Sequence, residues 1–138
     1  NDGNLDLAVS NRTSGGIAIF LGKGNGDFEN TSSIYTGNDG IAIANGDFNG
    51  DGLADLFVTQ NDFGVPKRHS RYNSGRGLLL RGDGTGTFTT MPASQRGIAL
   101  QGEQRGVAAA DFNGDGQPDL AVSQRGAATM LFLSRKTD

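Results

Sequence analysis

Short apolar runs recur along the chain and are separated by polar, glycine-containing segments. Three runs directly follow an aspartate: LAVS at 7, LFVT at 56 and LAVS at 120. A second run follows each of them: IAIFL at 17, LLLR at 78 and TMLFL at 129. Runs this short, bounded by turn residues, predict β-strands. No window shows the 3.6-residue apolar stripe of a helix, so the pattern predicts an all-β chain.

The flanking sequence predicts further strands in each unit. Upstream, IANG at 43 and VAAA at 107 are each long enough for one strand. Downstream, the alternating glycines of GKGNGDF at 22–28 and GDGTGTF at 82–88 indicate a hairpin turn that leads into another strand. Each unit is therefore predicted to contain about four antiparallel strands.

The units carry the same ten-residue string. DFNGDGLADL occupies 47–56 and DFNGDGQPDL occupies 111–120, while NDGNLDLAVS at 1–10 matches the second half of the string. In that match Asp2 and Asp6 correspond to Asp51 and Asp55. Repetition of this kind indicates a repeat protein, so we interpret residues 1–138 as a single segment of about two and a half to three units.

The spacing between the repeats locates an inserted loop. Asp2 and Asp51 are 49 positions apart, whereas Asp51 and Asp115 are 64 apart, and most of the difference lies in NDFGVPKRHSRYNSGRG at 61–77. This polar, basic and glycine-rich stretch predicts a surface loop. Its cations would suit an anionic group such as a carboxylate, sulfate or uronate; they are Lys67, Arg68, Arg71 and Arg76.

The repeated string has the ligand pattern of a calcium loop. Oxygen-bearing side chains stand at alternate positions, namely Asp47, Asn49 and Asp51, and Asp55 follows after a glycine turn. A hard cation such as Ca²⁺ takes roughly six to eight oxygen ligands, and the carbonyl of Leu53 and water can complete this set.

The other copies offer matching sets. The copy at 111–120 provides Asp111, Asn113, Asp115, Asp119 and the carbonyl of Gln117. The partial copy provides Asp2, Asp6 and the carbonyl of Asn4. The positions of its first two ligands precede residue 1, so it makes half a site.

Two alternatives compete with this interpretation. A polar turn without metal is one, since Asp, Asn and Gly are ordinary turn residues. An EF-hand or dockerin loop is the other, but an EF-hand places a bidentate Glu at position twelve between two helices, where this chain has Val58 and Val122. Helical circular dichroism would favour the dockerin-like assembly module.

Composition and charge agree with an oxygen-liganded metal. The chain has no cysteine, which excludes disulfides and thiolate sites. Eight of its 15 acidic residues lie in the motifs, so two bound Ca²⁺ ions would change the formal charge from −3 to +1. No apolar run approaches the ~18 residues of a membrane span, and regular aromatic interleaving is missing. We expect neither membrane insertion nor nucleic-acid binding.

Together these motifs resemble FG-GAP or VCBS repeats, the units of integrin-alpha-like β-propellers. DFNGDGLADLFV and DFNGDGQPDLAV carry the resemblance, which covers almost the whole chain, and QRGVAAADFNGDGQPDLAVSQRGAATMLFL is also similar to repeats that precede UnbV-type domains. The resemblance implies one four-stranded blade per repeat, with calcium in the aspartate loop. Propeller rings typically have 4 to 8 blades, so it implies a partial propeller.

The resemblance also implies the function that we expect. This is a calcium-binding structural module, or one that binds a protein or glycan ligand, on an extracellular, periplasmic or cell-surface protein. Missing blades would come from a longer chain or from self-association. No catalytic constellation is evident, although part of a carbohydrate-active enzyme or a lectin built on the same repeats is the alternative.

One tripeptide carries a competing signal. Arg81, Gly82 and Asp83 spell the integrin-ligand sequence RGD, but the same offset in the first repeat reads LGK. We therefore assign the tripeptide to the turn of the repeat.

Overall fold

The computed structural model describes residues 2–11, 15–36, 42–60, 76–92, 97–98 and 100–135. Within these residues the chain forms strands and no helix, which confirms the all-β prediction. The strands are β1 (Leu7–Asn11), β2 (Gly16–Gly22), β3 (Phe28–Tyr35), β4 (Ile43–Gly46), β5 (Asp55–Val58), β6 (Leu78–Gly82), β7 (Phe88–Thr90), β8 (Glu103–Ala110), β9 (Asp119–Arg125) and β10 (Ala127–Phe132). Every apolar run that predicted a strand overlaps one.

The strands form three small antiparallel sheets, one for each repeat. The first sheet has the order β1-β2-β3, the second β4-β5-β6-β7 and the third β10-β9-β8. Neighbouring strands in a sheet are adjacent in sequence, and each pair is antiparallel. The second sheet has the four strands predicted for a complete blade, and in the described part of the chain the other two have three each. This is the architecture of a partial β-propeller.

The predicted glycine turns close two of the hairpins in the same way. Between β2 and β3, the amide of Lys23 donates to the carbonyl of Asp27 at 2.9 Å, and between β6 and β7 the amide of Asp83 donates to the carbonyl of Thr87 at 3.1 Å. Gly84 has a φ of 79°, a left-handed conformation that favours glycine. The alternating glycines therefore set the turn geometry.

The hydrophobic core lies in two clusters on the two faces of the second sheet. Leu56 and Val58 pack toward Ile17 and Ile19 of the first sheet. Phe57 belongs to the other cluster, which also contains Leu79, Leu100, Leu120 and Val122. Because successive side chains of a strand point to opposite faces, all four residues of β5 are buried. A sheet covered on both faces explains why LFV is continuously apolar.

The two end sheets expose apolar positions whose counterparts are buried in the middle. Leu7 and Val9 correspond to Leu56 and Val58 by their distance from the preceding aspartate, yet both are exposed. In the third sheet Leu131 is 53% exposed, whereas its counterpart Leu79 is 5% exposed. The outer faces of the first and third sheets are thus built like the inner ones.

Candidate metal-binding loops

Loop 47–55 connects two paired strands. β4 ends at Gly46 and β5 begins at Asp55, and these two residues are register partners in the antiparallel pair. The loop is therefore the connection of a β-hairpin, as predicted. Strands flank it on both sides, so the EF-hand and dockerin interpretation is wrong for this loop.

The side chains of this loop are held against its own backbone. Asp47 accepts three amide hydrogen bonds: Oδ1 from Gly50 at 2.7 Å and Asp51 at 3.0 Å, and Oδ2 from Gly52 at 2.8 Å. Oδ1 of Asn49 accepts a second hydrogen bond from the amide of Asp51 at 2.9 Å. The alternate polar side chains thus converge on one compact turn, whose glycines have positive φ angles.

Loop 111–119 repeats this arrangement almost atom for atom. Oδ1 of Asp111 accepts from the amides of Gly114 at 2.7 Å and Asp115 at 3.1 Å, and its Oδ2 accepts from Gly116 at 2.8 Å. Asn113 Oδ1 accepts from the amide of Asp115 at 2.9 Å. These amide donors stabilise the charged form and lower the pKa of Asp111.

The partial copy adopts the second half of the same turn. Oδ1 of Asp2 accepts from the amide of Asn4 at 2.9 Å, which matches the 2.9 Å hydrogen bond from the amide of Leu53 to Asp51. Asn4 also donates from its side chain to Asp2 at 3.0 Å. The backbone amide is the main cause of the lowered pKa of Asp2. In this second half of the turn, the partial copy therefore has the conformation of the complete copies.

The last aspartate of each complete motif is buried and links the loop to a backbone amide elsewhere in the same repeat. Asp55 is 0% exposed; its Oδ2 accepts from the amide of Phe48 and its Oδ1 from the amide of Gly82, both at 3.1 Å. Asp119, 1% exposed, accepts in the same way from Phe112 and Ser134, both at 2.9 Å.

The first copy keeps one half of this link. Oδ1 of Asp6 accepts from the amide of Gly22 at 3.0 Å. Sequence reasoning missed this role, because the donor lies at a different separation in each repeat: 16, 27 and 15 positions for Gly22, Gly82 and Ser134.

Charge is concentrated at loop 47–55. Burial raises the pKa of Asp55, and the nearby negative charges of Asp51 and Asp47 raise it further, while two amide donors act in the opposite direction. The pKa of Asp51 itself is lowered, first by the amide of Leu53 and then by Arg81. The carboxylates of one loop are therefore close enough to repel one another.

Family models identify the repeat. A model described as FG-GAP-like repeat matches residues 1–58 and 63–122, and a model described as FG-GAP repeat matches residues 40–80. The chain belongs to the FG-GAP repeat family. The matched segments include all three copies of the aspartate motif, while the similarity to repeats that precede UnbV-type domains stays a prediction. Comparison with curated proteins and with solved structures gave no match.

The FG-GAP loops carry the oxygen ligands that calcium prefers, but their carboxylates do not form a preassembled coordination site. Every side-chain donor is an oxygen, as Ca²⁺ requires. A carboxylate has about four lone-pair sites, and Asp47 and Asp111 each use three on amides, so each retains one. Within the described ranges, no three Asp, Glu or His side chains are grouped closely enough to hold a metal. The loops therefore match calcium in the chemistry of their oxygen ligands.

A cation of the protein itself already contacts one of these carboxylates. The guanidinium of Arg81 places Nη2 at 2.9 Å and Nε at 3.2 Å from Oδ2 of Asp51. Gly82 donates to Asp55, and Asp83 Oδ1 accepts from the amide of Thr85 at 2.9 Å. Arg81 and Gly82 are the last residues of β6 and Asp83 begins the turn, so the RGD tripeptide belongs to the hairpin of the FG-GAP repeat and only its aspartate lies in the predicted turn.

The predicted anion-binding loop lies mostly outside the described residues. Lys67, Arg68 and Arg71 lie outside the described residues. Arg76 is exposed just before β6, and its carbonyl accepts from the amide of Leu100 at 3.3 Å. The ligand role of these four residues stays a prediction.

A cleft of about 750 Å³ lies beside loop 111–119, between residues of the second and third sheets. Its lining includes Phe48, Leu79, Asp115, Leu131 and Arg135. Sequence reasoning did not predict this cleft, because its walls come from two repeats. The described part of the chain contains no helix that is long and apolar enough to cross a membrane.

Proposed function

We propose that this FG-GAP segment binds Ca²⁺ in loops 47–55 and 111–119, and that it serves as a structural or ligand-binding module of a secreted or surface protein. One observation carries the proposal: two loops with the same oxygen donors adopt the same hydrogen-bonded conformation. A turn that needed no metal would not require three carboxylates at matching positions in both copies, since their mutual repulsion costs stability.

The motif positions name the residues that would hold the ion. In the first complete loop they are Asp47, Asn49, Asp51, Asp55 and the carbonyl of Leu53. In the second they are Asp111, Asn113, Asp115, Asp119 and the carbonyl of Gln117. The partial copy would add Asp2, Asp6 and the carbonyl of Asn4. A bound ion would supply positive charge that offsets carboxylate repulsion. The buried aspartates connect one loop to Gly82, at the end of β6, and the other to Ser134, just after β10.

Calcium is expected to stabilise the fold by mass action, because the unfolded chain does not hold the loop. At a calcium concentration one hundred times the Kd, each site would contribute about 2.7 kcal/mol. Extracellular calcium modules work in roughly the 10⁻⁴ to 10⁻³ M range, which suits loops of mixed carboxylate, amide and carbonyl donors.

The test uses the full chain stripped of metal. We expect calcium to raise the melting temperature and isothermal titration calorimetry to show binding, with magnesium giving a much smaller effect. The Asp47→Asn and Asp111→Asn double variant should lose most of the calcium-dependent shift. Asp27→Asn, which removes a carboxylate from the turn between β2 and β3, is the matched control and should keep it. Calcium that changes neither the melting temperature nor the calorimetric heat would contradict the proposal.

A second candidate function has one observation in its favour. The cleft beside loop 111–119 combines apolar walls with Asp115 and Arg135, a mixture that suits a glycan. This supports the alternative of a lectin or part of a carbohydrate-active enzyme. Binding on a glycan array that is abolished by Leu131→Trp, which would fill the cleft, separates it from a purely structural module.

A further inference from the structure

One position of the hairpin differs between the second repeat and the other two. Equivalent positions are defined by the amide that donates to the buried aspartate, which belongs to Gly22, Gly82 and Ser134. The residues immediately before these donors are Leu21, Arg81 and Leu133. The second repeat therefore has a cation where the other two have leucine.

Arg81 directs this charge at one predicted calcium ligand. Its Nη2 and Nε both contact Oδ2 of Asp51, at 2.9 and 3.2 Å, while Oδ1 of Asp51 accepts from the amide of Leu53. The side chains of Arg81 and Asp51 are 57% and 24% exposed, so the pair is partly screened by water. The oxygen of Asp51 that does not serve its own turn is thus held by a guanidinium.

Asp115, the counterpart of Asp51, has a neutral partner. Its Oδ1 accepts from the amide of Gln117 at 2.8 Å, as in the other loop, but its Oδ2 accepts from the side-chain amide of Asn113 at 2.9 Å. Among the residues that the structure describes, no Lys or Arg forms an ion pair with Asp115. A neutral amide leaves the negative charge of Asp115 available to a cation.

We propose that Arg81 is a resident counter-ion that weakens calcium binding by loop 47–55 relative to loop 111–119, so that the two loops fill at separate calcium concentrations. The inference rests on the proposed calcium function. To use Asp51, Ca²⁺ must displace the guanidinium or bind next to its positive charge. A partly exposed ion pair together with this repulsion predicts a difference of about three- to tenfold in affinity.

The test exchanges the two positions. Calcium is titrated into the full chain, and backbone amide NMR signals of Gly50 and Gly52 report one loop while those of Gly114 and Gly116 report the other. In the wild-type chain, loop 111–119 should saturate first. Arg81→Leu should tighten loop 47–55 about three- to tenfold, and Leu133→Arg should weaken loop 111–119 by a similar factor.

Arg125→Leu is the control for net charge. Arg125 is at the end of β9 far from its loop and lies 3.8 Å from Glu103, so this variant removes one positive charge away from both sites. It should leave both affinities unchanged.

The outcomes separate the two proposals. If both loops bind calcium and Arg81→Leu leaves loop 47–55 unchanged, the role of Arg81 is wrong and the calcium function stands. If neither loop responds to calcium in any variant, the calcium function fails and the inference fails with it. Should Arg81→Leu not fold, Leu133→Arg decides, and an unchanged affinity of loop 111–119 overturns the inference.

Discussion

The aspartates at different positions of the repeated motif have different environments in the folded chain. Asp111 lies at the surface and accepts three amide hydrogen bonds, which favour its ionised form and lower its pKa. Asp55 is buried, and desolvation raises its pKa despite two amide donors. The number of amide donors and the degree of burial therefore determine which carboxylates favour ionisation in the folded chain.

The lowered pKa of Asp111 predicts a loss of stability in acid. A carboxyl group whose folded pKa lies below the unfolded value near 3.8 stabilises the fold above that value, and this contribution is lost as the pH falls through the folded pKa. Asp111→Asn should therefore destabilise the calcium-free chain more at pH 6 than at pH 3. Urea denaturation at both pH values measures this, and an equal loss at both would contradict it. For Asp55 the pH dependence has the opposite sign. Burial raises its folded pKa above the unfolded value, so its contribution to stability falls as the pH rises from the unfolded value through the folded pKa.

At the scale of the element, a close backbone approach fixes where β6 ends. An added Cβ on Gly82 would lie 2.1 Å from the carbonyl oxygen of Ala54, and the equivalent Cβ on Gly22 would lie 2.1 Å from that of Leu5. Glycine therefore lets the strand end pass the residue just before the buried aspartate. In the third repeat Ser134 takes this place, and its hydroxyl donates to the carbonyl of Pro118 at 3.0 Å.

Gly82→Ala tests this approach. The added methyl group must push β6 away from Ala54 and stretch the hydrogen bond from residue 82 to Asp55, so we expect a loss of about 1–3 kcal/mol in the free energy of unfolding. Gly106→Ala is the control, because its Cβ would meet only the side-chain oxygen of Ser123, at 3.0 Å. Chemical denaturation compares the two, and equal losses would show that the contact with Ala54 is unimportant.

The sequence predicted the strands better than their ends. Short apolar runs located all the central strands, because local alternation and turn residues are visible in one stretch of chain. β8 instead begins at Glu103, four residues before the predicted VAAA run. The polar residues at the start of β8 do not predict a strand by themselves. Gln104 is buried there, and its Oε1 accepts from the amide of Gln60 at 3.0 Å, a contact between residues 44 positions apart.

The candidate site was likewise predicted only where its residues are close in sequence. The spacing of the aspartates predicted that each loop connects two strands and that both loops carry the same oxygen-bearing side chains. The ion pair of Arg81 with Asp51 joins residues 30 positions apart, and the cleft near Arg135 combines two repeats. Contacts between residues so far apart in sequence depend on how the strands pack, and a local sequence pattern does not predict that packing.

At the scale of the whole molecule, the second sheet is the centre of the stack. Its two faces contribute to both core clusters, whereas the first and third sheets each contribute to one. Equivalent residues can therefore have very different energetic weight in different repeats. Leu79 and Leu131 are the clearest pair, since they occupy the same position in neighbouring sheets and differ mainly in burial.

Replacing each of these leucines by alanine measures the difference. Leu79→Ala removes buried methyl groups and leaves a cavity, so it should cost about 2–5 kcal/mol. Leu131→Ala changes an exposed side chain and should stay within about 0.5 kcal/mol in dilute solution. Urea denaturation in calcium-containing buffer provides both values. Equal costs for the two variants would mean that the outer face of the third sheet is covered as well.

The unlike faces of each sheet give the stack a direction. Inside the molecule, the face that carries Leu56 and Val58 meets the face that carries Ile19, the counterpart of Leu79. At the ends, Leu7 and Val9 form one kind of face and Leu131 belongs to the other. Any additional blade must therefore join head to tail, and a twofold pairing of two copies would bring like faces together. Any assembly along this axis would therefore be heterologous, and it would stop only if the rotation from one blade to the next closed a ring.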